Sequence, residues 1–561
     1  MSVFDAAVNK KRNASAEPKD ESPLKQLRID EPGMGQRKIC QDKMNDLVVD
    51  FVVNGAHTFS VVQEPSFVKM LQYLAPTQKV LTRRMLVKKI DEKFLEMKCR
   101  LQDTFQHLNY VTVTADCWSS HHRHFLGVTA LWLEPDSLDR KIATLACRRM
   151  VGSVTYDKLA LEMSNIFEEY GIQGKVTKVI TDNGSNFIKA FQCYGGNAEE
   201  AADEPDTYHR DLSSLLDGED SMVCLPPHHR CAAHTLNLIA TTDAARANMD
   251  PEYSKASTSV FKKCSAIWNK QGQSVRAADI VKSYCGIYLT RPVATRWNSY
   301  HEALECILRL VNEGKDINGL CRALNVPVFQ RGDDFKFIEE YCTVMSPLCA
   351  ALDILQGDKY IFLGYLLPTI TVLIRRLEYE GMKGLKFCRP LVTAVLDGIQ
   401  KRFGHLMEDK ELLLAAAVLP RFKLSWLKDV TQHAAVMDML RREIANNSAA
   451  KPRHTPVVVT RPRADDFFAF GDAVSASEST ACTEDDELTE YLRIPEDYDI
   501  SKMKTDFPRV QGLFLRVNTA VPSSASVERL FSTAADVFTR KRTKLTDVNF
   551  EKQLLLKCNA T

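Results

Sequence analysis

The sequence predicts a mixed fold, in which a small α/β sheet lies beside a much larger all-α region. Three observations lead to this prediction. Apolar residues alternate with period two in short runs between residues 109 and 181, which is typical of strands. From about residue 241 to 505 the apolar spacing is mostly helical, and extended runs are rare. Two short motifs each place an aspartate directly after a predicted strand.

Composition sets the broad class. The 561 residues suggest three or four domains' worth of chain, and 45% apolar content with a net charge of +1 is typical of a globular protein. We expect no membrane helix, because no segment approaches about 18 uncharged apolar residues. The first residues lack the apolar stretch of a signal peptide. The 16 cysteines follow no framework spacing, so we expect reduced thiols inside the cell.

The N-terminal part divides into an arm and a helical region. Residues 1–45 are polar and contain three prolines, which predicts a disordered arm. Its basic run at residues 10–12 is either a nuclear import signal or a solvated charge cluster. Residues 46–108 form the next region, where apolar spacing from 64 to 108 predicts helices.

The sheet is predicted from the element order that follows. Strands are expected at 109–115, 125–133 and 141–150, then a helix at 156–170 and a strand at 176–181. Three consecutive short strands favour an antiparallel meander. The helix then favours a crossover to a parallel position beside the first strand.

Two acidic stretches interrupt the remaining chain. Residues 196–220 contain nine acids and one base, which predicts a disordered loop, and a short strand (222–226) and a helix (230–240) follow it. Residues 476–500 also contain nine acids against one base and are predicted to be a second linker. Residues 506–561 are expected to be helical, with Ser523 or Ser524 as the N-cap of one helix.

Three acidic residues form the candidate site. Asp116 lies in TADCW, Asp182 in ITDNGSNF and Glu528 in SASVERLF. If the first and fourth strands are neighbours, the two aspartates lie side by side, and the helix of Glu528 could cover the same end. Clustered carboxylates repel each other unless a cation neutralises them, and Mg²⁺ prefers such oxygen ligands. The alternative is that the aspartates are turn residues and the glutamate is solvated.

At these motifs the chain resembles the hAT superfamily of DNA transposases. Further segments that carry the resemblance include FLGVTALWLEP, CAAHTLNL, TRWNSY and LLLAAAVLPRFKLSW, so it extends from about residue 45 to the C-terminus. It implies an RNase-H-like catalytic domain (109–240) interrupted by a helical insertion domain (241–505) and closed by residues 506–561. It also implies that Asp116, Asp182 and Glu528 form a DDE triad that holds Mg²⁺ or Mn²⁺.

The resemblance implies DNA-handling roles for two further motifs. In CAAH, Cys231 packs one thiol and His234 approaches the scissile phosphate; half of a zinc site is the alternative, since Cys224, His228 and His229 are near in sequence. In TRWNS, Trp297 would stack on a flipped base and Arg296 would contact a phosphate. Residues 251–297 carry two acids and eight bases. Lys262, Lys263 and Arg291, three of these bases, are candidate DNA-binding residues. A solvated face is the alternative for this charge run.

The resemblance further implies partners and a location. Residues 46–108 would contact DNA or a second copy. A homodimer or higher oligomer would form through the C-terminal region, although its apolar residues could equally be core. The partner would be double-stranded DNA, both transposon ends and target, in the nucleus. Another basic cluster at 540–544 would touch DNA or direct import.

One departure from the family keeps two functions open. Full-length relatives begin with a BED-type zinc finger built on C-x-x-C, and this sequence contains no C-x-x-C. The first hypothesis is a cut-and-paste transposase that cleaves DNA with metal, forms hairpins on the flanking ends and joins a 3′-hydroxyl to target DNA. The alternative is a domesticated, catalytically silent nuclear protein that binds DNA or chromatin as a dimer.

Overall fold

The computed structural model describes residues 40–195, 223–293, 297–330, 332–357, 360–446, 487–539, 542 and 545–560. The chain divides into two compact units. The first extends through Lys93, and the second comprises residues 94–459 and 472–561. Three predicted segments lie outside the described residues: residues 1–39 of the arm predicted at 1–45, the acidic loop at 196–220, and residues 476–486 of the second linker.

The first unit is helical, as predicted. Its elements are α1 (Gln41–Asn54), α2 (Pro65–Leu74) and the start of α3 (Arg83–Gln106), and the unit boundary falls within α3. Pro65 occupies the first turn of α2, where its missing N–H costs no hydrogen bond. Helix α1 includes the last five residues of the predicted arm, because Val48, Val49 and Val52 give the helix a buried face.

The second unit contains a five-stranded mixed sheet. Its strands are β1 (Val111–Ser120), β2 (Arg123–Leu133), β3 (Arg140–Met150), β4 (Val176–Thr181) and β5 (His228–Arg230), in the spatial order β3-β2-β1-β4-β5. The pairs β1/β2 and β2/β3 are antiparallel, and the pairs β1/β4 and β4/β5 are parallel. The predicted meander with a crossover to the far side of β1 is therefore confirmed.

Helices cover one face of this sheet and form the core. They are α4 (Tyr156–Glu169) and α5 (Ser185–Tyr194). Val113 and Ala115 of β1 belong to the same buried cluster as Met163 of α4 and Phe187 of α5. Gly171, at φ +64°, follows α4 and turns the chain toward β4, as a glycine can do without strain.

Most of the described chain after the sheet is helical, as predicted. These helices are α6 (Ala232–Leu238), α7 (Pro251–Gln273), α8 (Val275–Cys285), α9 (Trp297–Asn312), α10 (Ile317–Leu324), α11 (Asp333–Leu355), α12 (Leu366–Met382), α13 (Arg389–Phe403), α14 (Lys410–Ala417) and α15 (Val430–Asn446). Helix α11 packs against both α6 and α7. The sheet and these helices belong to one compact unit.

The closing helices complete the unit. They are α16 (Glu487–Arg493), α17 (Met503–Asp506), α18 (Pro508–Asn518), α19 (Ala525–Val537) and α20 (Asp547–Cys558). Helix α19 packs on β1 and β2, and α20 packs on β3. The second acidic stretch is wrongly predicted to be linker throughout, since Glu487 is buried and accepts the backbone N–H groups of Arg509 and Val510. These two bonds fix α16 against α18.

Two expectations concern the described residues as a whole. The described part of the chain contains no helix long and apolar enough to span a membrane. The 16 cysteines include 15 in the described part, and all of these are free thiols. The predicted RNase-H-like character of the sheet stays a prediction, while the combination of a mixed sheet with a large helical region is confirmed.

Candidate active site

Asp116 and Asp182 lie side by side on neighbouring parallel strands. The pairing of β1 with β4 ends at Ala115 and Thr181, and each aspartate is the next residue along its strand. Register partners in a parallel pair direct their side chains to the same face of the sheet. The two carboxylates therefore lie on the face opposite the α4–α5 core.

The environment of Asp116 differs from the sequence prediction in one respect. The predicted strand ends before Asp116, whereas β1 continues to Ser120. The extension is paired on one side, because Asp116 lies opposite Gly127 of β2 and the pairing continues to Ser120 and Arg123. Asp116 is thus held by a hydrogen-bonded strand on one side and lies at the end of β4 on the other. Asp182 follows its strand as predicted.

Helix α19 brings Glu528 to this end of the sheet. A side chain at Gly127 would prevent its approach, because a Cβ there would lie 2.5 Å from Phe531 Cε1 and 2.9 Å from Val527 Cγ2. A glycine inside a strand often marks such a close approach. Val527 and Phe531 flank Glu528 by one and three residues, so the missing Cβ determines how near the glutamate lies to Asp116.

Three hydroxyl groups join α19 to the strands beneath it. Thr114 Oγ1 lies 2.7 Å from Thr129 Oγ1 and 2.8 Å from Ser526 Oγ, and the last two lie 3.0 Å apart. Each hydroxyl has one proton and two lone pairs, so a closed ring of three hydrogen bonds is available to them. Thr114 and Ser526 are each two residues from a candidate carboxylate. The ring therefore fixes the height and rotation of α19 where Glu528 projects.

The electrostatics of Asp116 show an accumulation of negative charge. Burial, and with it the negative charges of Asp182 and Glu528, raise the pKa of its carboxyl group to about 7. The N–H of Cys117 donates to Asp116 Oδ1 at 2.6 Å and opposes this increase. Asp182 Oδ1 accepts the N–H of Gly184 at 3.0 Å. Each aspartate thus has one oxygen oriented by the backbone.

The carboxylates have the chemistry of a divalent-cation site, but their arrangement is incomplete. Hard oxygen ligands suit Mg²⁺, and a cation would offset the charge that raises the pKa of Asp116. However, within the described residues no three His, Cys, Asp or Glu side chains are grouped closely enough to hold an ion. The two aspartates are adjacent, and Glu528 is near enough to influence Asp116 electrostatically without completing a coordination shell.

Cys231 and His234 lie at the start of α6, beside the same end of the sheet. The N–H of Cys231 donates to Thr181 O at 2.8 Å, which ties α6 to the end of β4. The buried thiol is an acceptor: Cys231 Sγ receives the N–H of His234 at 3.4 Å and the N–H of Ser524 at 3.3 Å. One sulfur therefore joins the first turn of α6 to the first turn of α19. His234 is half-buried in that turn.

The zinc alternative for this motif gains no support from the geometry. His228 stacks on Phe191 with ring centroids 4.3 Å apart, and its Nε2 lies 2.9 Å from Thr181 Oγ1. Cys231 Sγ is occupied by two backbone N–H groups. No cluster of three ligating side chains is found here or elsewhere in the described ranges. The thiol acts as a packed helix cap.

The predicted DNA-binding residues of the helical region fall into three classes. Arg296 and the side chain of Trp297 lie outside the described residues, although Trp297 begins α9. Lys262 and Arg291 are exposed. Lys263 is not, since its Nζ lies 2.5 Å from Asp334 Oδ2 and both side chains are largely buried. The ammonium of Lys263 is therefore compensated within the protein, which makes it less suited to a phosphate than Lys262.

Ten apolar residues of the C-terminal region, for which a dimer surface and a core were the two interpretations, are interior in this chain. Their side chains are buried, as the core alternative requires: Phe507, Val510, Leu513, Phe514, Leu530, Phe531, Val537, Phe550, Leu554 and Leu555. Of the basic cluster at 540–544, only Arg542 is described, and its guanidinium donates to Gln553 Oε1 at 2.6 Å in a buried position. Arg542 is thus structural.

Sequence analysis missed Gly127, Ser526 and Thr129. Gly127 had a signal, because it interrupts an otherwise apolar strand, FLGVTALWL. The hydroxyls had none, since Thr114 and Ser526 are 412 residues apart in sequence and meet only in the folded chain.

Comparison with known proteins gives relatives of low sequence identity. No family model matches the chain. It is 26% identical over 253 residues to a Zea mays protein named as an AC transposase, which covers 44% of this chain and 29% of the maize protein. It is 19% identical over 558 residues to human zinc finger BED domain-containing protein 4, which covers 92% of this chain and 43% of the human protein. A Talaromyces stipitatus protein named as a transcriptional regulator is 26% identical over 143 residues, covering 25% of this chain and 17% of that protein.

These relatives define the class to which the chain is similar. They are named for transposition, for a BED zinc finger and for transcriptional regulation. The chain spans less than half the length of each of them. The similarity supports a transposase or a protein derived from one.

Proposed function

We propose that this chain is a hAT-type DNA transposase, or a protein derived from one, whose catalytic site is built on Asp116, Asp182 and Glu528. The observation that carries the proposal is the placement of Asp116 and Asp182 at adjacent ends of the β1/β4 pair. The charge of Glu528 contributes to the raised pKa of Asp116, which supports a common site. Transposase-named relatives add independent support.

The proposed reaction is cleavage of double-stranded DNA at transposon ends, with hairpin formation on the flanking DNA and strand transfer to a target. Bound Mg²⁺ or Mn²⁺ would neutralise the carboxylates and polarise the phosphodiester. Asp116 and Asp182 would hold that cation through the oxygens not engaged by the N–H groups of Cys117 and Gly184. His234, in the first turn of α6, would approach the scissile phosphate from the β4 side of the site.

The experiment that tests this proposal is strand cleavage by the purified chain. The substrate is duplex DNA that carries the terminal inverted repeats flanking the gene, with Mg²⁺ or Mn²⁺ present. Nicks at the repeat ends are expected for the wild type and are expected to disappear in Asp182→Ala. Asp103→Ala removes an exposed carboxylate of α3 and serves as the matched control. Absence of wild-type nicking, or equal nicking by Asp182→Ala, would overturn the proposal.

The second candidate function is a catalytically silent DNA- or chromatin-binding protein that acts as a dimer in the nucleus. The incomplete grouping of the three carboxylates within the described residues favours it. A human relative named for its zinc finger rather than for transposition is consistent with it. Two differently tagged copies should co-precipitate after nuclease treatment. A strictly monomeric chain at micromolar concentration would contradict dimer-based regulation.

A further inference from the structure

One face of α7 carries evenly spaced positive charge. The buried face of this helix consists of Tyr253, Ser257, Val260, Cys264, Ile267 and Trp268. Lys255, Lys262 and Asn269 follow one another at intervals of seven residues, and all three are exposed. Seven residues correspond to two helical turns, or about 10.5 Å, so these side chains form a straight line on the face opposite the buried one.

Arg291 adds a further positive charge to this line, next to Asn269. Its Nη2 donates to Asn269 Oδ1 at 3.1 Å, and its Nη1 lies 3.4 Å from where a Cβ would stand on Gly272. Asn269 therefore holds the guanidinium at the third position of the row. We call Lys255, Lys262, Asn269 and Arg291 the basic stripe.

Few acids lie near the basic stripe along the chain, namely Glu252, three residues before Lys255, and Asp279. The sequence from Tyr253 to Ala278 contains no aspartate or glutamate. Among the ion pairs of the described residues, none includes Lys255, Lys262 or Arg291, whereas the adjacent Lys263 is paired with Asp334. The sequence alone groups these lysines together, and the structure separates the exposed row from the buried pair.

We propose that the basic stripe binds the phosphate backbone of duplex DNA, an inference that rests on the proposed function and names the surface that holds its substrate. A row of exposed cations along one helix face is attracted to the backbone of duplex DNA, where each strand carries one negative charge per about 3.4 Å of axis. Hydroxyl and amide groups between the cations donate to phosphates without reading the sequence, as Thr258, Ser265 and Asn269 are placed to do. Binding through this surface is therefore independent of sequence.

A rigid element connects the basic stripe to the candidate active site. Helix α11 packs against α7 and also against α6, the helix that carries His234. Both surfaces belong to the same compact unit. DNA bound along α7 is thus held at a fixed distance from the carboxylates rather than on a separately moving domain.

The test is the salt dependence of DNA binding by the full chain. A labelled 30-base-pair duplex of random sequence is titrated at several NaCl concentrations, and log K is plotted against log[NaCl]. Each of Lys255→Ala, Lys262→Ala and Arg291→Ala is expected to make the negative slope shallower by about 0.9. Each is also expected to lower the affinity at 0.1 M salt by about eightfold. The triple variant is expected to make the slope shallower by about 2.7. Circular dichroism melting verifies folding, which exposed substitutions should leave unchanged.

Two controls make the outcome specific. Lys401→Ala and Lys428→Ala each remove one exposed positive charge outside the basic stripe and should leave the slope unchanged. A triple variant with the wild-type slope, or one that loses binding to heparin but not to the duplex, would overturn the inference. Failure of the proposed function is distinguished by Asp182→Ala, which should abolish nicking while binding the duplex normally.

Discussion

The buried carboxylates of the helical region and the half-buried carboxylates at the end of the sheet lie in opposite electrostatic environments. In the helical region Asp334, Asp243 and Glu340 each either pair with a cation or accept several backbone hydrogen bonds. Asp334 is paired with Lys263, and Asp243 is paired with Arg402, whose Nε lies 2.5 Å from its Oδ2. Glu340 accepts three backbone N–H groups at 2.8–3.1 Å, from residues 386–388.

The carboxylates at the end of the sheet have no cation as a partner within the described residues. Asp182 and Glu528 are the two charged neighbours that shift the pKa of Asp116, and both are negative. No ion pair among the described residues includes any of the three. Burying charges of like sign costs folding free energy, so this arrangement does not stabilise the protein. The comparison indicates that the helical pairs compensate buried charge within the fold, whereas the sheet end lacks such compensation, as expected of the cation site proposed there.

The largest expected effect is the loss of a compensated pair. Asp334→Ala should lower the free energy of unfolding by about 3–5 kcal/mol, because Lys263 is left as an uncompensated buried cation. The N–H of Gln330, which donates to Asp334 Oδ2 at 2.7 Å, also loses its acceptor. Urea denaturation measures the difference. The control is Asp333→Ala, whose pair with Lys386 is exposed and should contribute less than about 1 kcal/mol.

In the second prediction a substitution raises the free energy of unfolding instead of lowering it. Between pH 4 and pH 7 the unfolded chain loses the proton of Asp116 while the folded chain keeps it, so wild-type stability falls as pH rises through this window. Asp116→Asn cannot ionise and should be more stable than the wild type above pH 7, by on the order of 2–4 kcal/mol at about 1.4 kcal/mol per pKa unit. Thermal melting from pH 4 to 8 measures this gain, which should vanish at pH 4.

Two additions sharpen the second prediction. Asp103→Asn removes an exposed carboxylate and should show no such pH-dependent gain. Mg²⁺ should stabilise the wild type at pH 8 more than Asp116→Asn if the carboxylates hold the ion. A variant that is less stable than the wild type at pH 8 would mean that the sheet end is compensated after all.

The third prediction concerns the approach of α19. Gly127→Ala introduces a Cβ 2.5 Å from Phe531 Cε1, so α19 must shift, at a cost of about 1–3 kcal/mol in unfolding free energy. The shift should also move Glu528 away from Asp116 and reduce any nicking activity. Gly174→Ala is the matched control, because no atom lies within 4 Å of a Cβ at that position. Equal stability of the two variants would contradict the packing argument.

The smallest expected effect comes from the hydroxyl ring. Ser526→Ala removes one of the three hydroxyls and should cost about 1 kcal/mol, the usual net value of one hydrogen bond. Ser532→Ala, on the same helix, removes an exposed hydroxyl that donates only to Glu528 O at 3.3 Å, and it should cost less. Chemical denaturation of both variants gives the ranking; the reverse order would exclude a role for the ring in fixing α19.

The sheet could be predicted from local pattern, and its site only in part. Strand β4 was predicted to the residue, and β2 and β3 to within two residues at each end, since period-two alternation is a local property. The end of β1 was misplaced, because its extension to Ser120 depends on pairing with β2 rather than on its own residues. Of the strand predicted at 222–226, the described residues 223–226 form only a bridge between Leu225 and Gly195, and β5 begins at His228.

By itself, the sequence predicted where the carboxylates stand along the chain: Asp116 and Asp182 each directly after a strand, and Glu528 on a helix; that Asp116 lies within β1 was decided by pairing with β2. Strand alternation and helix spacing are short-range properties, which is why these positions could be predicted. Only the tertiary structure decided which charges are compensated. Lys262 and Lys263 are neighbours in sequence, yet one faces solvent and the other is paired with Asp334, 71 residues away. Burial and pairing arise from contacts between distant segments, and no local pattern records them.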